Sequence, residues 1–295
     1  MATRALVLSG GGPVGIAWEA GLLAGLAENG VDLGKADYIV GTSAGSFVGA
    51  QIAMGRSPVK LMEAILAEAH NIPARSSAAS GPVPDLQTLF KQMLEAMAGV
   101  RPSQEVRAQI GAFALQAQTM SEDAFIANFG RSFSGLAEDA WPERNYACTA
   151  VDALDGSFTV WNNESRVGVT RAVASSCSVP GVFPPITIKG RRYIDGGMRS
   201  FANADLARGY DVVVLVAVRG NAAQDPISAA FQRILENELK ALRDSGSHVE
   251  LIAPDTASID AFGLNLMDSR RRPGSASAGC DQGRAEAARL RALWT

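Results

Sequence analysis

The run Asp37-Tyr38-Ile39-Val40 reads as a buried strand, and it passes through Gly41-Thr42-Ser43-Ala44-Gly45 into a small-residue helix, Ser46 to Met54. A chain that leaves a strand and enters a helix within so few residues must turn sharply. Flanking glycines let backbones pass where a Cβ would block them. This is the context of a nucleophile elbow, where the serine of G-x-S-x-G sits at the tip of a strained strand-to-helix turn. Ser43 is therefore the candidate nucleophile, with Gly41 and Gly45 as the elbow glycines. A strand followed at once by a helix is also the repeating unit of α/β folds.

A second junction of the same kind lies near the N-terminus. Arg4-Ala5-Leu6-Val7-Leu8 reads as a strand, Ser9 to Gly15 as a glycine-rich loop, and Ile16 to Glu28 as a helix. Gly10, Gly11, Gly12 and Gly15 would aim backbone N–H groups at one spot, which makes an anion site. In acyl transfer that anion is the tetrahedral oxyanion, and donors already fixed for it lower the barrier by several kcal/mol. A third segment, Arg192-Tyr193-Ile194-Asp195-Gly196-Gly197, reads as a short strand ending in a carboxylate and a glycine pair. Asp195 is the candidate base, and Gly196 and Gly197 form its turn.

These three motifs, in this order and spread over residues 4 to 205, resemble the patatin-like lipid acyl hydrolases. The segment Ala174 to Pro185 resembles that family's small-residue and proline block, and Asn203 stands where an asparagine often follows Asp-Gly-Gly. Two positions further on, Asp205 replaces a common proline. The resemblance implies a serine lipid acyl hydrolase of the esterase or phospholipase A type, working through a Ser43–Asp195 dyad and the Gly10–Gly15 oxyanion loop. It implies an acyl lipid or ester as substrate and transient contact with a membrane surface; no metal or other cofactor is expected, since no His, Cys or carboxylate ligands cluster at metal spacing. It also implies a three-layer α/β/α fold with a central, mostly parallel sheet and a helical cap.

The chain has only two histidines, and neither lies in a motif: His70 follows a helical pattern and His248 opens an apolar run. The order Ser43, Asp195, His248 nevertheless matches that of a hydrolase triad, so dyad and triad both stay open here. An aspartate with an ordinary pKa of about 3.9 is a weak base at neutral pH, so the dyad requires burial to raise it. An acyltransferase would use the same acyl-enzyme with an alcohol as acceptor. Gly10-x-Gly12-x-x-Gly15 also fits a dinucleotide fingerprint, but the next strand ends in Gly41-Thr42-Ser43 where a ribose-binding acid belongs.

At 295 residues and 47% hydrophobic content the chain can bury one full core, and it reads as a single domain, 1–295. A formal charge of -3 gives no support to nucleic-acid binding. Three scattered cysteines argue against a disulfide framework or a zinc site. No signal-like or membrane-spanning run is visible, which implies a cytoplasmic protein, peripheral to membranes at most. Residues 57–140 read as a helical cap insert. Within it Leu86, Leu89, Phe90, Met93, Leu94 and Met97 share one helix face, which either packs on the core, as most amphipathic helices do, or walls an acyl pocket to which Ile110, Phe113, Ala114 and Ala117 could add a second wall. Asn145–Asp152 and Ser157–Trp161 read as a hairpin turning at Asp155-Gly156, residues 269–280 as a mobile loop, and 281–295 as a C-terminal helix.

Overall fold

The computed structural model describes residues 2–69, 101–219, 226–263 and 265–294. His70 and the Leu86–Met97 helix face lie outside the described residues. In chain order the elements are β1 (Arg4–Leu8), α1 (Gly12–Glu28), β2 (Tyr38–Gly41), α2 (Ala44–Ala53), α3 (Pro58–Ala69), α4 (Gln104–Gln116) and α5 (Glu122–Gly130). They continue with β3 (Tyr146–Asp152), β4 (Phe158–Trp161), α6 (Val169–Ser176), β5 (Ile186–Ile188), β6 (Arg191–Asp195) and β7 (Val212–Val216). The C-terminal part holds α7 (Pro226–Asp244), β8 (His248–Ile252), α8 (Thr256–Phe262) and α9 (Arg272–Trp294).

Among the described residues the strands form one sheet in the order β5-β6-β3-β2-β1-β7-β8, with β4 paired to β3. The β3-β2-β1-β7-β8 pairs are parallel; β4 and β6 run antiparallel to β3. Parallel strands covered on both faces read as unbroken apolar runs, as Val212–Val216 does. Leu6, Leu8, Ile39 and Val214 point into one core with α1, α2, α3, α6 and α9. The alternate residues Ala5, Val7, Val40 and Val213 point into another with Leu235, Leu239 and Leu242 of α7. The result is the expected α/β/α sandwich.

One feature of the sheet places the site. Cys148 pairs with both Gly41 of β2 and Trp161 of β4, while Ala150 pairs with both Asp195 of β6 and Thr159 of β4. A strand has two edges, so β2 and β6 share the edge of β3 that β4 leaves free. They approach head-on: β2 ends opposite Cys148, β6 ends opposite Ala150, and only Thr149 lies between. At roughly 3.3 Å of rise per residue, the last residues of the two strands stand about 7 Å apart along β3.

The hairpin expected at Asp155-Gly156 is present as β3–β4. The C-terminal region differs from expectation. Residues 272–294 form one continuous 23-residue helix, α9, in place of a loop over 269–280. Its Gly and Ser content is a packing surface: a Cβ on Gly279 or Gly283 would run into the carbonyls of Trp18 or Leu22, and a Cβ on Gly21 or Gly25 into those of Ala276 or Cys280. The small residues let α1 and α9 touch backbone to backbone. In the insert, α3 buries Leu61 and Ile65 in the α1–α9 core. Ile110 and Ala114 of α4 pack on Val151, Ala153 and Ile194, so their face is core rather than the wall of a cleft.

Candidate active site

β2 ends at Gly41 and α2 begins at Ala44, so Ser43 occupies the tip of the turn with φ 53° and ψ -117°. A non-glycine residue in that region is strained and must be held by its surroundings. Three side-chain contacts help to hold it. Its N–H donates to Ser176 Oγ at 3.0 Å, and its carbonyl accepts from Ser46 Oγ at 2.6 Å and from Cys177 Sγ at 3.2 Å. Gly41 and Gly45 are glycines by necessity, since a Cβ on the first would meet the Gly45 carbonyl and one on the second the Leu8 carbonyl.

Asp195, the last residue of β6, is 2% exposed, and Ser43 is 7% exposed. The Asp195 carboxylate accepts the Gly197 N–H at 2.7 Å, and its own N–H donates to Ser178 O at 2.9 Å. Burial raises its pKa, the Gly197 N–H and the Ser43 hydroxyl pull it back, and it settles at about 7. Serine and aspartate thus meet across Thr149, each fixed by the 176–178 segment: Ser176 and Cys177 grip the serine, Ser178 the aspartate. Cys177 is a buried free thiol whose pKa desolvation pushes upward.

Behind the pair stands Asn203, fully buried and left-handed at φ 49°. Its amide nitrogen reaches Ser200 O at 2.7 Å, Thr42 Oγ1 at 3.0 Å, Gly196 O at 3.3 Å and Thr149 Oγ1 at 3.4 Å. Its carbonyl oxygen accepts from Arg199 Nη1 at 2.7 Å. Asp205 takes Arg199 at 2.7 Å and Arg101 at 2.6 Å, and Arg101 also grips Glu238 at 2.6 Å. Asp205 is thus the anchor of an ion-pair cluster.

The glycine loop lies on the same side. A Cβ on Gly10 would stand 3.4 Å from Ser43 Cβ and 3.2 Å from Phe201 Cδ1. The Gly10 N–H donates to Phe201 O at 2.8 Å and the Gly15 N–H to Gly11 O at 2.8 Å, so neither is available to a ligand. Val14 N–H is spent on Leu266 O at 3.2 Å. Gly11 and Gly12, the latter at φ 60°, have no acceptor among the described residues. Helix α1 starts at Gly12, earlier than Ile16, with Pro13 in its first turn, where a missing N–H costs nothing.

Two residues fall away from this centre. His248 opens β8 opposite Val212, at the end of the sheet where β1 begins at Arg4, whereas Ser43 follows the other end of β2. Its ring is exposed and bonded to Glu250 at 3.0 Å. The Ser43–Asp195–His248 order is therefore a coincidence of sequence, and no triad forms with it. Ser176, Ser178 and Thr149 were not singled out by sequence; their only signal was membership of a small-residue block and of a strand. Among the described residues no group of three His, Cys, Asp or Glu is placed to hold a metal ion. No helix of the described residues is long and apolar enough to cross a membrane.

A serine at a strand-to-helix elbow, faced by a buried aspartate from an abutting strand and flanked by a glycine loop, belongs to the acyl ester hydrolase class of α/β proteins. The model of the patatin-like phospholipase family matches residues 6–208, a span that includes all three motifs. The chain belongs to that family, whose members are acyl ester hydrolases. No curated protein sequence matches it significantly. Among solved structures it is similar to VipD from Legionella pneumophila, at 15% identity over 98% of this chain and 67% of that one, with a TM-score of 0.47. It is also similar to the type III effector ExoU, at 18% identity over 96% of this chain and 54% of that one, TM-score 0.41. For ExoU in its complex with SpcU from Pseudomonas aeruginosa the values are 19%, 99%, 60% and 0.36.

Proposed function

We propose that the protein cleaves acyl esters of lipids through a Ser43–Asp195 dyad, with the Gly11 and Gly12 N–H groups binding the oxyanion. The carrying observation is the juxtaposition of a strained, nearly buried serine with a buried aspartate whose pKa lies at about 7. Ser43 Oγ attacks the ester carbonyl carbon while its proton passes to Asp195. The carbonyl oxygen becomes the oxyanion between the two free N–H groups. As the C–O bond to the alcohol breaks, Asp195 returns the proton to the leaving oxygen. Water then attacks the acyl-enzyme, gives its proton to Asp195, and releases the fatty acid when Ser43 Oγ takes that proton back. A pKa near the working pH suits a group that must both take and give a proton.

Labelling of Ser43 by an alkyl fluorophosphonate, followed alongside p-nitrophenyl butyrate hydrolysis, tests this reading. Ser43→Ala should abolish both and Asp195→Asn should slow both at least a thousandfold, whereas His248→Ala should leave both at the wild-type rate. Wild-type turnover by Ser43→Ala, or loss of activity in a folded His248→Ala, would overturn it. Product analysis with glycerol present separates hydrolysis from acyl transfer.

A further inference from the structure

Near the dyad lies a cavity of about 20 Å³ whose lining includes Ser9, Gly197 and, from α7, Ile234 and Leu235. Phe201 and Phe231 form its side, edge to face at 4.3 Å between ring centres. Phe201 also connects it to the reacting centre, because the ring stands against the space beside Gly10 that Ser43 Cβ bounds on the other side. The walls are mostly apolar, though Ser9, Ser200, Arg199 and Arg219 also line them. The two guanidinium groups are committed elsewhere: Arg199 to Asp205 and to the Phe158 ring at 4.1 Å, Arg219 to the Phe201 ring at 5.9 Å. The cavity suits an alkyl group and offers little to an anionic head group.

Of the two arms of an ester, the alcohol must leave to solvent, while the acyl chain stays bound through both chemical steps. A mainly apolar recess next to the dyad fits the arm that stays. We infer that this cavity is the acyl pocket and that Phe201 and Phe231 limit its size, making the enzyme selective for short acyl chains. A space of this size holds about one water or a methyl-sized group. The inference rests on the hydrolase reading above.

The test is kcat/KM for p-nitrophenyl acetate, butyrate and octanoate, with a parallel series of acetates of lengthening alcohols. Wild type should favour acetate over butyrate, and butyrate over octanoate. Phe231→Ala opens the recess and should raise the octanoate-to-acetate ratio by about tenfold or more, since each methylene gained by burial is worth about fourfold. Ile234→Phe adds bulk to the lining and should lower the butyrate-to-acetate ratio by about tenfold. Opposite changes from two substitutions in one wall are not produced by misfolding. Ratios unmoved in both variants, or moved only along the alcohol series, overturn the pocket assignment. If wild type neither takes the fluorophosphonate at Ser43 nor hydrolyses acetate, the hydrolase reading fails and the pocket falls with it; labelling with unmoved ratios sinks the pocket alone.

Discussion

Asp195, the base of the proposed dyad, also carries a cost to folding. Desolvation raises its pKa from 3.8 to about 7, against the Gly197 N–H and the Ser43 hydroxyl. Between those two values the folded protein holds a proton that the unfolded chain has released, so stability falls as pH rises through this window and levels off above about pH 7. At about 1.4 kcal/mol per pH unit the loss is about 4 kcal/mol by pH 8. Asp195→Asn keeps the shape and the acceptor for Gly197 N–H but removes the ionisation. Urea unfolding should show the variant more stable than wild type by a few kcal/mol at pH 8 and equal to it at pH 4. The wild-type kcat/KM should rise with pH to a half-maximum near 7, since only the ionised aspartate accepts the serine proton. A wild-type profile already flat from pH 5, or a stability difference independent of pH, would show that the aspartate titrates normally.

The three strand ends and their glycines were legible in the sequence because each motif is local: a strand period, a turn, a helix. Their assembly was not. That β2 and β6 meet head-on along one edge of β3 depends on long-range register, and Thr149, Ser176 and Ser178 acquire their roles only through it. Asn203 could be picked out by resemblance, but its bonds to Thr42, Gly196 and Ser200 appear only in the fold. These bonds tie the elbow to the aspartate turn, with Arg199 orienting the amide from the far side. Asn203→Asp retains the tolerance of a left-handed backbone yet replaces the amide donor by an acceptor. It should lower kcat about tenfold with KM held, and Arg199→Met should do nearly the same. If Arg199 acts through Asn203, the double variant should be little worse than either single one, and Arg199→Lys should recover only part of the rate, lacking the planar fork. Fully additive losses would assign Arg199 a separate, purely structural part.

The whole molecule leans on the contact between its first and last helices. α1 carries the glycine loop at its N-terminus, and α9 lies along it with Gly21, Gly25, Gly279 and Gly283 letting the two backbones meet. In sequence Gly274 and Gly279, with neighbouring serines and arginines, read as a loop, because helix propensity counts Gly and Ser against a helix and cannot see a partner helix at the other end of the chain. The two explanations predict opposite effects of adding a methyl group. For a glycine whose only cost is propensity, alanine stabilises by up to about 1 kcal/mol. Gly274, in the first turn of α9 with nothing within 4 Å of its would-be Cβ, should behave that way. Gly279→Ala gains the same propensity but drives its Cβ into the Trp18 carbonyl and to 3.0 Å from Trp18 Cδ1. Overpacking costs of about 1–3 kcal/mol should outweigh the gain. Since α1 must shift to relieve the clash, and Gly11 and Gly12 shift with it, Gly279→Ala should also lower kcat for ester hydrolysis while Gly274→Ala leaves it alone. Chemical denaturation and steady-state rates on the two variants decide the matter: equal stabilisation by both would mean that α1 and α9 are not in backbone contact, and a destabilised Gly279→Ala with unaltered kcat would mean that the loop is held independently of the helix behind it.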